Sequence, residues 1–386
     1  MRNVRLQCLV ATSLSLAGCG VTDTDDDAQS VSALASDAHR RNGQIARVMT
    51  RNLYLGADLT PAIGAPDLGS FVAGTGAVLR QVTATNFPVR AKGLAAEILH
   101  AKPDLVGLQE VALWRTGPAS LAPLLGGPKT ASTVRYDFLE LLLAQLNACD
   151  EHYVAVVIEE ELDFEAPADE NNVAGDGPFP ISNAELNARL TMRDVILMRV
   201  DAGVHVSDPE GGHFQNLLTL PVLGAAVPST RGWTKVDARV RGSRWFRFVN
   251  THLEAFDPPS LVPSIRAQQA AELVAPGGPA SSDLPVILVG DLNSDDDTVP
   301  PGDQQAYRVL LDAGFIERTT NEPTCCIDSY DLRTGTAADF DEQLDHVMTN
   351  APSIVRLVDS FVTGLSMAHG YWDSDHAGVA SVLRVR

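Results

Sequence analysis

From Ile45 onward the chain alternates two kinds of apolar spacing. Short β-rich runs carry apolar residues at every second position, and other stretches return them every three or four. The first pattern puts apolar side chains on one face of a strand, the second on one face of a helix with about 3.6 residues per turn. Ile45 to Leu53 is predicted as the first strand. Pro88 to His100 sets Leu94, Ala95, Ile98 and Leu99 on one face, predicting a helix that stops at Lys102-Pro103. Asp104 to Val111 is a buried strand ending on Gln109-Glu110, and Phe138, Leu139, Leu142 and Leu146 mark a second helix.

Strands follow at Tyr153 to Ile158, Asp194 to Val200, Trp233 to Val240 and Trp245 to Thr251. A third helix is expected over Ser264 to Leu273, with Ser264 as its N-cap. The apolar run Pro285 to Gly290 delivers Asp291 at its end. A helix over Gln304 to Ala313 precedes strands near Leu344 to Met348, Ile354 to Val358 and Val379 to Val385. Stretches 114–133, 163–188 and 203–230, rich in Gly, Pro and Ala, have the character of surface insertions. With no repeat and no linker after Ile45, the pattern predicts one α/β domain over 45–386.

The first residues break this pattern. Arg2 and Arg5 precede a short apolar run, Leu6 to Leu16, as in an export signal. Leu16-Ala17-Gly18-Cys19 resembles a bacterial lipobox, which implies removal of residues 1–18 and lipidation of Cys19. Gly20, rather than Asp, follows the cysteine, so the resemblance favours the outer membrane. Residues 19–44, with Asp-Thr-Asp-Asp-Asp, are expected to be a flexible tether. Of five cysteines, Cys8 would be discarded and Cys19 lipidated. Cys149, Cys325 and Cys326 would remain for a structural role, with one disulfide allowed.

Composition adds one constraint. The 386 residues carry a formal charge of −20, which weakens any case for broad binding to a phosphate backbone but leaves room for a local basic cleft.

Six short motifs carry the chemistry: Arg51-Asn-Leu-Tyr54, Leu108-Gln-Glu-Val111, Asn250-Thr-His-Leu-Glu254, Gly290-Asp-Leu-Asn-Ser294, Leu344-Asp-His346 and Ser374-Asp-His376. Each falls at or just after a strand, where a rigid scaffold presents reactive groups. Together they supply carboxylates for a hard divalent cation, amides to orient phosphate or water, and imidazoles for proton transfer. No Gly-x-Ser-x-Gly elbow occurs to place a serine nucleophile.

In this order the motifs resemble the endonuclease/exonuclease/phosphatase superfamily over residues 45–386. That family includes secreted nucleases, apurinic-site nucleases, bacterial sphingomyelinases and inositol polyphosphate phosphatases. The resemblance implies a four-layer α/β sandwich: two packed, mostly antiparallel sheets flanked by helices, with the site at one end. It implies Glu110 as principal metal ligand, with Asn52 and Asp375 beside it, for Mg²⁺, or Mn²⁺ or Ca²⁺ as alternatives. Asp291 and Asn293 would contact the attacking water and a phosphate oxygen. His376 would face the scissile phosphate, oriented by Asp345, and His252 would be a second catalytic histidine. Arg193 would either touch phosphate or pair with an acid, Asp194 lies on the same strand, and His346 would support the site.

The implied activity is metal-dependent hydrolysis of a phosphodiester or phosphomonoester at the cell envelope, by a monomer held to the membrane through its lipid anchor. Two substrates fit equally, a phospholipid or sphingomyelin headgroup and extracellular nucleic acid. A non-catalytic binding module on the same fold is the competing class; it would be expected to have lost one of Glu110, Asp291 or His376, and all three are present.

Overall fold

In β1 (Gln44–Asn52), Ala46 and Val48 enter a core lying between two sheets, while Met49 faces the other way into a core beneath helices. The computed structural model describes residues 43–150, 152–257, 261–296 and 303–386. Cys19, the leader 1–18 and nearly all of the expected tether lie outside them.

After β1 come α1 (Thr60–Ile63), α2 (Leu68–Ala84), α3 (Phe87–Ala101), β2 (Leu105–Gln109), β3 (Leu113–Pro118), β4 (Thr133–Asp137) and α4 (Phe138–Leu146). The middle of the chain is strand-rich: β5 (Tyr153–Ala168), β6 (Leu186–Arg199), β7 (Val204–His213), β8 (Leu218–Val222), β9 (Ala225–Ser229), β10 (Gly232–Val240) and β11 (Phe246–His252). The last part holds α5 (Ile265–Val274), β12 (Val286–Asp291), α6 (Gln305–Asp312), β13 (Ile316–Glu317), β14 (Asp345–Thr349), β15 (Val355–Thr363) and β16 (Gly378–Val385).

One sheet runs β15-β16-β1-β2-β6-β3-β4, with β5 also paired to β6; the other runs β13-β14-β12-β11-β10-β7. Only β1/β2 and β11/β12 are parallel among these neighbours. Strand alternation divides the apolar residues between layers. In β12, Ile287 and Val289 point into the inter-sheet core, whereas Val286 and Leu288 pack with Leu273 of α5 and Leu310 of α6. Residues of α2, α3 and α4 cover the outer face of the first sheet. The result is the expected four-layer sandwich.

A polar tie crosses the otherwise apolar inter-sheet layer. Gln109 donates to Asn250 Oδ1 at 2.6 Å and also bonds Thr50, while Asn250 Nδ2 reaches Leu108 O and Thr234 Oγ1, each at 3.2 Å. Two motif residues therefore clamp the sheets together just behind the site, where an unpaired amide would be costly.

Several expected elements appear within a residue or two, including the Ser264 cap, whose hydroxyl accepts from Ala267 N. Of the three expected insertions, 119–132 and 169–185 are loops outside the strands, whereas most of the rest is strand. Residues 114–133 contain most of β3, 163–188 extend β5 and open β6, and 203–230 form β7 and the β8–β9 hairpin. Helix α2, 17 residues long, was not evident in the spacing. Its Gly74 and Gly76 weaken the helical signal, yet a Cβ at either would strike backbone, of Pro61 and Asp169 respectively. Tertiary contact, not propensity, selects them.

Candidate active site

Strand register brings the motifs to one end of the sandwich. Asn52 ends β1, and Glu110 follows β2 directly beside it. His252 lies opposite Asp291 across the parallel β11/β12 pair, and Asp291 lies opposite Asp345 across β12/β14. Asp375 and His376 immediately precede β16. Gly290 permits this approach: its φ is +153°, and a Cβ there would meet the carbonyl oxygen of Thr251. Glu110 and Asn293 both hold positive φ, +55° and +47°, conformations that L-residues keep only where surroundings enforce them.

Asp291 is the hub. Its Oδ2 accepts from Asn52 Nδ2 at 3.0 Å and faces His252 Nε2 at 3.5 Å and His376 Nε2 at 3.7 Å; its Oδ1 accepts from Asn293 N at 2.9 Å. His376 Nδ1 donates to Asp345 Oδ2 at 2.8 Å. The site residues predicted from sequence thus converge, with one qualification of role. Asn293 turns its Nδ2 onto Leu253 O, and Asn52 Oδ1 accepts from Tyr54 N, so neither amide is wholly free for phosphate or metal.

The two imidazoles are held in opposite states. Burial alone would push both down. For His376 the carboxylates of Asp345, Asp291 and Asp375 outweigh burial and hold it well above the ordinary histidine value, as an imidazolium. For His252 the neighbouring Arg231 and His376 add to burial and hold it well below, as neutral imidazole. Arg231 Nη1 lies 3.0 Å from His252 Nδ1 and 3.4 Å from Nε2; a guanidinium only donates, and with Asp291 Oδ2 as acceptor beside Nε2 the pairing that satisfies both neighbours has Nδ1 accepting and the proton on Nε2. Burial also raises the Asp291 carboxyl, although His376 pulls it down.

Arg231 is a site residue that the sequence did not reveal. It sits in Ser-Thr-Arg-Gly with no motif around it, and only the β10/β11 register places it against His252. It lies among Glu254, Glu161, Glu110 and Asp194, which keep its charge in place despite burial. Arg231→Lys is expected to lower kcat about tenfold or more by removing the fixed donor to Nδ1. Steady-state kinetics on a folded variant would check this; a rate within twofold of wild type would remove Arg231 from the site.

Other sequence expectations resolve plainly. Arg193 turns away and pairs with Asp137 at 2.6 Å and Val111 O at 2.9 Å, which is the acid-pairing alternative. Asp194 is buried with neither carboxylate oxygen partnered, and burial with Glu161 nearby raises it well above the carboxylate range. His346 joins Glu317 and Ser294 O, bracing the loop after Asp291. The segment around Cys325 braces the other side: Thr324 Oγ1 accepts from Leu344 N and Asp345 N, and Cys325 bridges to His376 through the backbone. The two adjacent sulfurs, of Cys325 and Cys326, pair with each other. Fully buried Arg90 bonds Leu53 O, Tyr54 O and Asp373 O, tying two catalytic loops to α3.

The donor set suits a hard cation. Glu110 and Asp375 offer carboxylate oxygens and Asn52 an amide oxygen. Burial pushes the Asp375 carboxyl up to about 6; His376 opposes this and Glu110 adds to it, a repulsion that a divalent cation would relieve. The acids and histidine whose ligand atoms all lie within 4.8 Å of one another are Asp291, Asp345 and His376. Within that trio His376 Nδ1 already bonds Asp345, whereas Glu110, Asp375 and Asn52 offer oxygen donors of the kind a hard cation takes.

Comparison with known proteins gives the family. A family model described as Endonuclease/Exonuclease/phosphatase family matches residues 68–376. No curated protein sequence matches. Among solved structures, an endonuclease/exonuclease/phosphatase family protein from Leptotrichia buccalis C-1013-b superposes with a TM-score of 0.52 at 13% identity, covering 88% of this chain and 99% of that one. A family protein from Bacteroides thetaiotaomicron has a TM-score of 0.48 at 15% identity, covering 90% and 100%. A mannosyl-6-phosphatase from Bacteroides thetaiotaomicron VPI-5482 has a TM-score of 0.46 at 16% identity, covering 88% and 99%. These identities speak to fold alone; it is the family model, matched across most of the length, that assigns the chain to the endonuclease/exonuclease/phosphatase family, whose members are generally phosphoric ester hydrolases.

Proposed function

We propose that this protein is a Mg²⁺-dependent phosphoesterase that hydrolyses a phosphodiester or phosphomonoester by in-line attack of water. The observation that carries the reading is one buried carboxylate, Asp291, set 3.5 Å from His252 Nε2 and 3.7 Å from His376 Nε2. A cation held by Glu110 and Asp375, with Asn52 beside it, would neutralise phosphate charge that otherwise repels the nucleophile.

The chain's own groups divide the remaining work. Asp291 positions the water and takes its proton as the water oxygen bonds to phosphorus. His376, kept charged by Asp345, and His252 Nε2–H donate to phosphate oxygens, where charge grows in the transition state. As the P–O ester bond breaks, His376 Nε2 supplies the proton that the leaving oxygen needs. p-Nitrophenyl phosphate, bis-p-nitrophenyl phosphate, sphingomyelin and plasmid DNA, each with Mg²⁺ and with EDTA, test the reading. Metal-dependent cleavage of any one supports it, and no cleavage of any by folded, metal-loaded protein would overturn it.

We also propose an envelope location through Cys19. Cys19→Ala is expected to move the protein from membrane to soluble fractions on cell fractionation, and unchanged membrane association would sink the anchor.

A further inference from the structure

A cavity of about 250 Å³ opens directly beside Glu110, Asp375, Tyr54 and Arg231 and runs away from them between apolar walls. Phe71, Trp114, Phe164, Leu190, Leu220 and Val222 form much of those walls. Protein interiors normally close such space, so an apolar chamber continuous with a carboxylate-lined mouth points to a ligand. From the location of this chamber we infer that it binds the apolar part of the substrate, so that the protein acts on amphiphilic phosphoesters bearing a single hydrocarbon chain or ring. The inference rests on the hydrolase reading above and adds the substrate class to it.

Three features argue for that occupant. First, the roof is made by parts outside the two-sheet sandwich. The β8–β9 hairpin pairs with neither large sheet, yet its Val222 is buried against Phe71 of α2 and Ala166 of β5, with Leu220 packed beside them. Second, Arg231, at the mouth, is the one cation among the described lining residues. A polynucleotide needs a row of Lys and Arg along its backbone, and this wall has none. Third, the volume lies just under the ~300–1,000 Å³ usual for drug-sized ligands, enough for one slender chain or ring rather than two acyl chains. With the phosphate at His376 and Asp291, a chain on the ester oxygen can run past Glu110 into the chamber.

The probe is a series of alkyl p-nitrophenyl phosphates, from methyl to octyl, used below their aggregation threshold with Mg²⁺. The wild type is expected to gain about threefold in kcat/KM per added methylene until the chamber fills. Ala188→Leu, which narrows the chamber from β6, is expected to cut octyl turnover tenfold or more while methyl turnover changes less than twofold. Leu220→Ala, on the hairpin roof, should flatten the chain-length slope without affecting the methyl ester, and it serves if Ala188→Leu folds poorly. A slope of zero in wild type, or equal losses for methyl and octyl esters in both variants, overturns the chamber's role. So would chain-length dependence that appears only when the same esters are presented in phosphatidylcholine vesicles, because a chamber within the protein should discriminate among monomers. Absence of EDTA-sensitive methyl ester hydrolysis would instead count against the hydrolase reading itself.

Discussion

Replacing His376 by alanine is expected to lower kcat by about 10²–10⁴-fold, the range a positioned proton donor contributes. The imidazole reaches Asp345 at 2.8 Å through Nδ1 and turns Nε2 toward Asp291, so no other side chain can take its place. Alanine would also leave Asp345 buried without its cation, and the Oδ1 of Asp345 already lacks a partner. His376→Asn keeps an N–H at the Nδ1 position for Asp345 and should lose comparable activity with less loss of stability. Thermal melting and steady-state kinetics on both variants separate the two effects, and a near-wild-type rate in either would remove His376 from the reaction.

Asp345→Asn gives the pH test. The His376 pKa is raised, so the charged form dominates below it, and both its catalytic use and its contribution to stability are lost as pH rises through it. Removing the Asp345 charge lowers that pKa, so the alkaline limb of the pH–rate profile should move to lower pH. An unmoved limb would mean that some other group sets it.

The site was legible in the sequence to the extent that each residue sat in a motif at a strand end. Asp291, Asp345 and His376 follow apolar runs or precede them, and period-two spacing fixes where those runs stop. What escaped was set by tertiary contact. Arg231 becomes a site residue only because β10 pairs with β11 in a register that sets Trp233 opposite Thr251. Asp194 lies close enough to Glu161 to be raised by it, across a β5/β6 pairing with two irregular registers, the second between Glu160 and Asp163, which no linear pattern announces. Helix α2 was hidden by glycines that its neighbours require. Composition marks the loops 119–132 and 169–185 within the Gly- and Pro-rich stretches, but it reports turn content and does not show where β3, β5, β6, β7 and the β8–β9 hairpin run into them. The apolar chamber escaped for the same reason, since its walls come from α2, β3, β5, β6 and the β8–β9 hairpin and no single stretch displays them.

Glu110→Gln is the substitution that isolates the cation. Glu110 sits at positive φ after β2, with Oε2 fixed by Leu55 N at 2.6 Å, so its carboxylate is aimed rather than mobile. Glutamine keeps the shape and one oxygen but removes the charge that a hard divalent ion requires. Metal-dependent turnover is expected to fall by at least ~10²-fold, comparable to loss of a principal electrostatic stabiliser. Stability separates this from a folding defect. Mg²⁺ at 100 times its Kd should stabilise the wild type by about 2.7 kcal/mol, and the variant should show little of that gain. Without metal the variant should melt close to wild type, because relief of the repulsion with Asp375 is offset by loss of the attraction to buried Arg231. Thermal melts with Mg²⁺ and with EDTA read both halves at once. A variant that kept its Mg²⁺-induced shift would place the cation elsewhere, and the neighbouring Asp375→Asn would then be the substitution to separate the two oxygens.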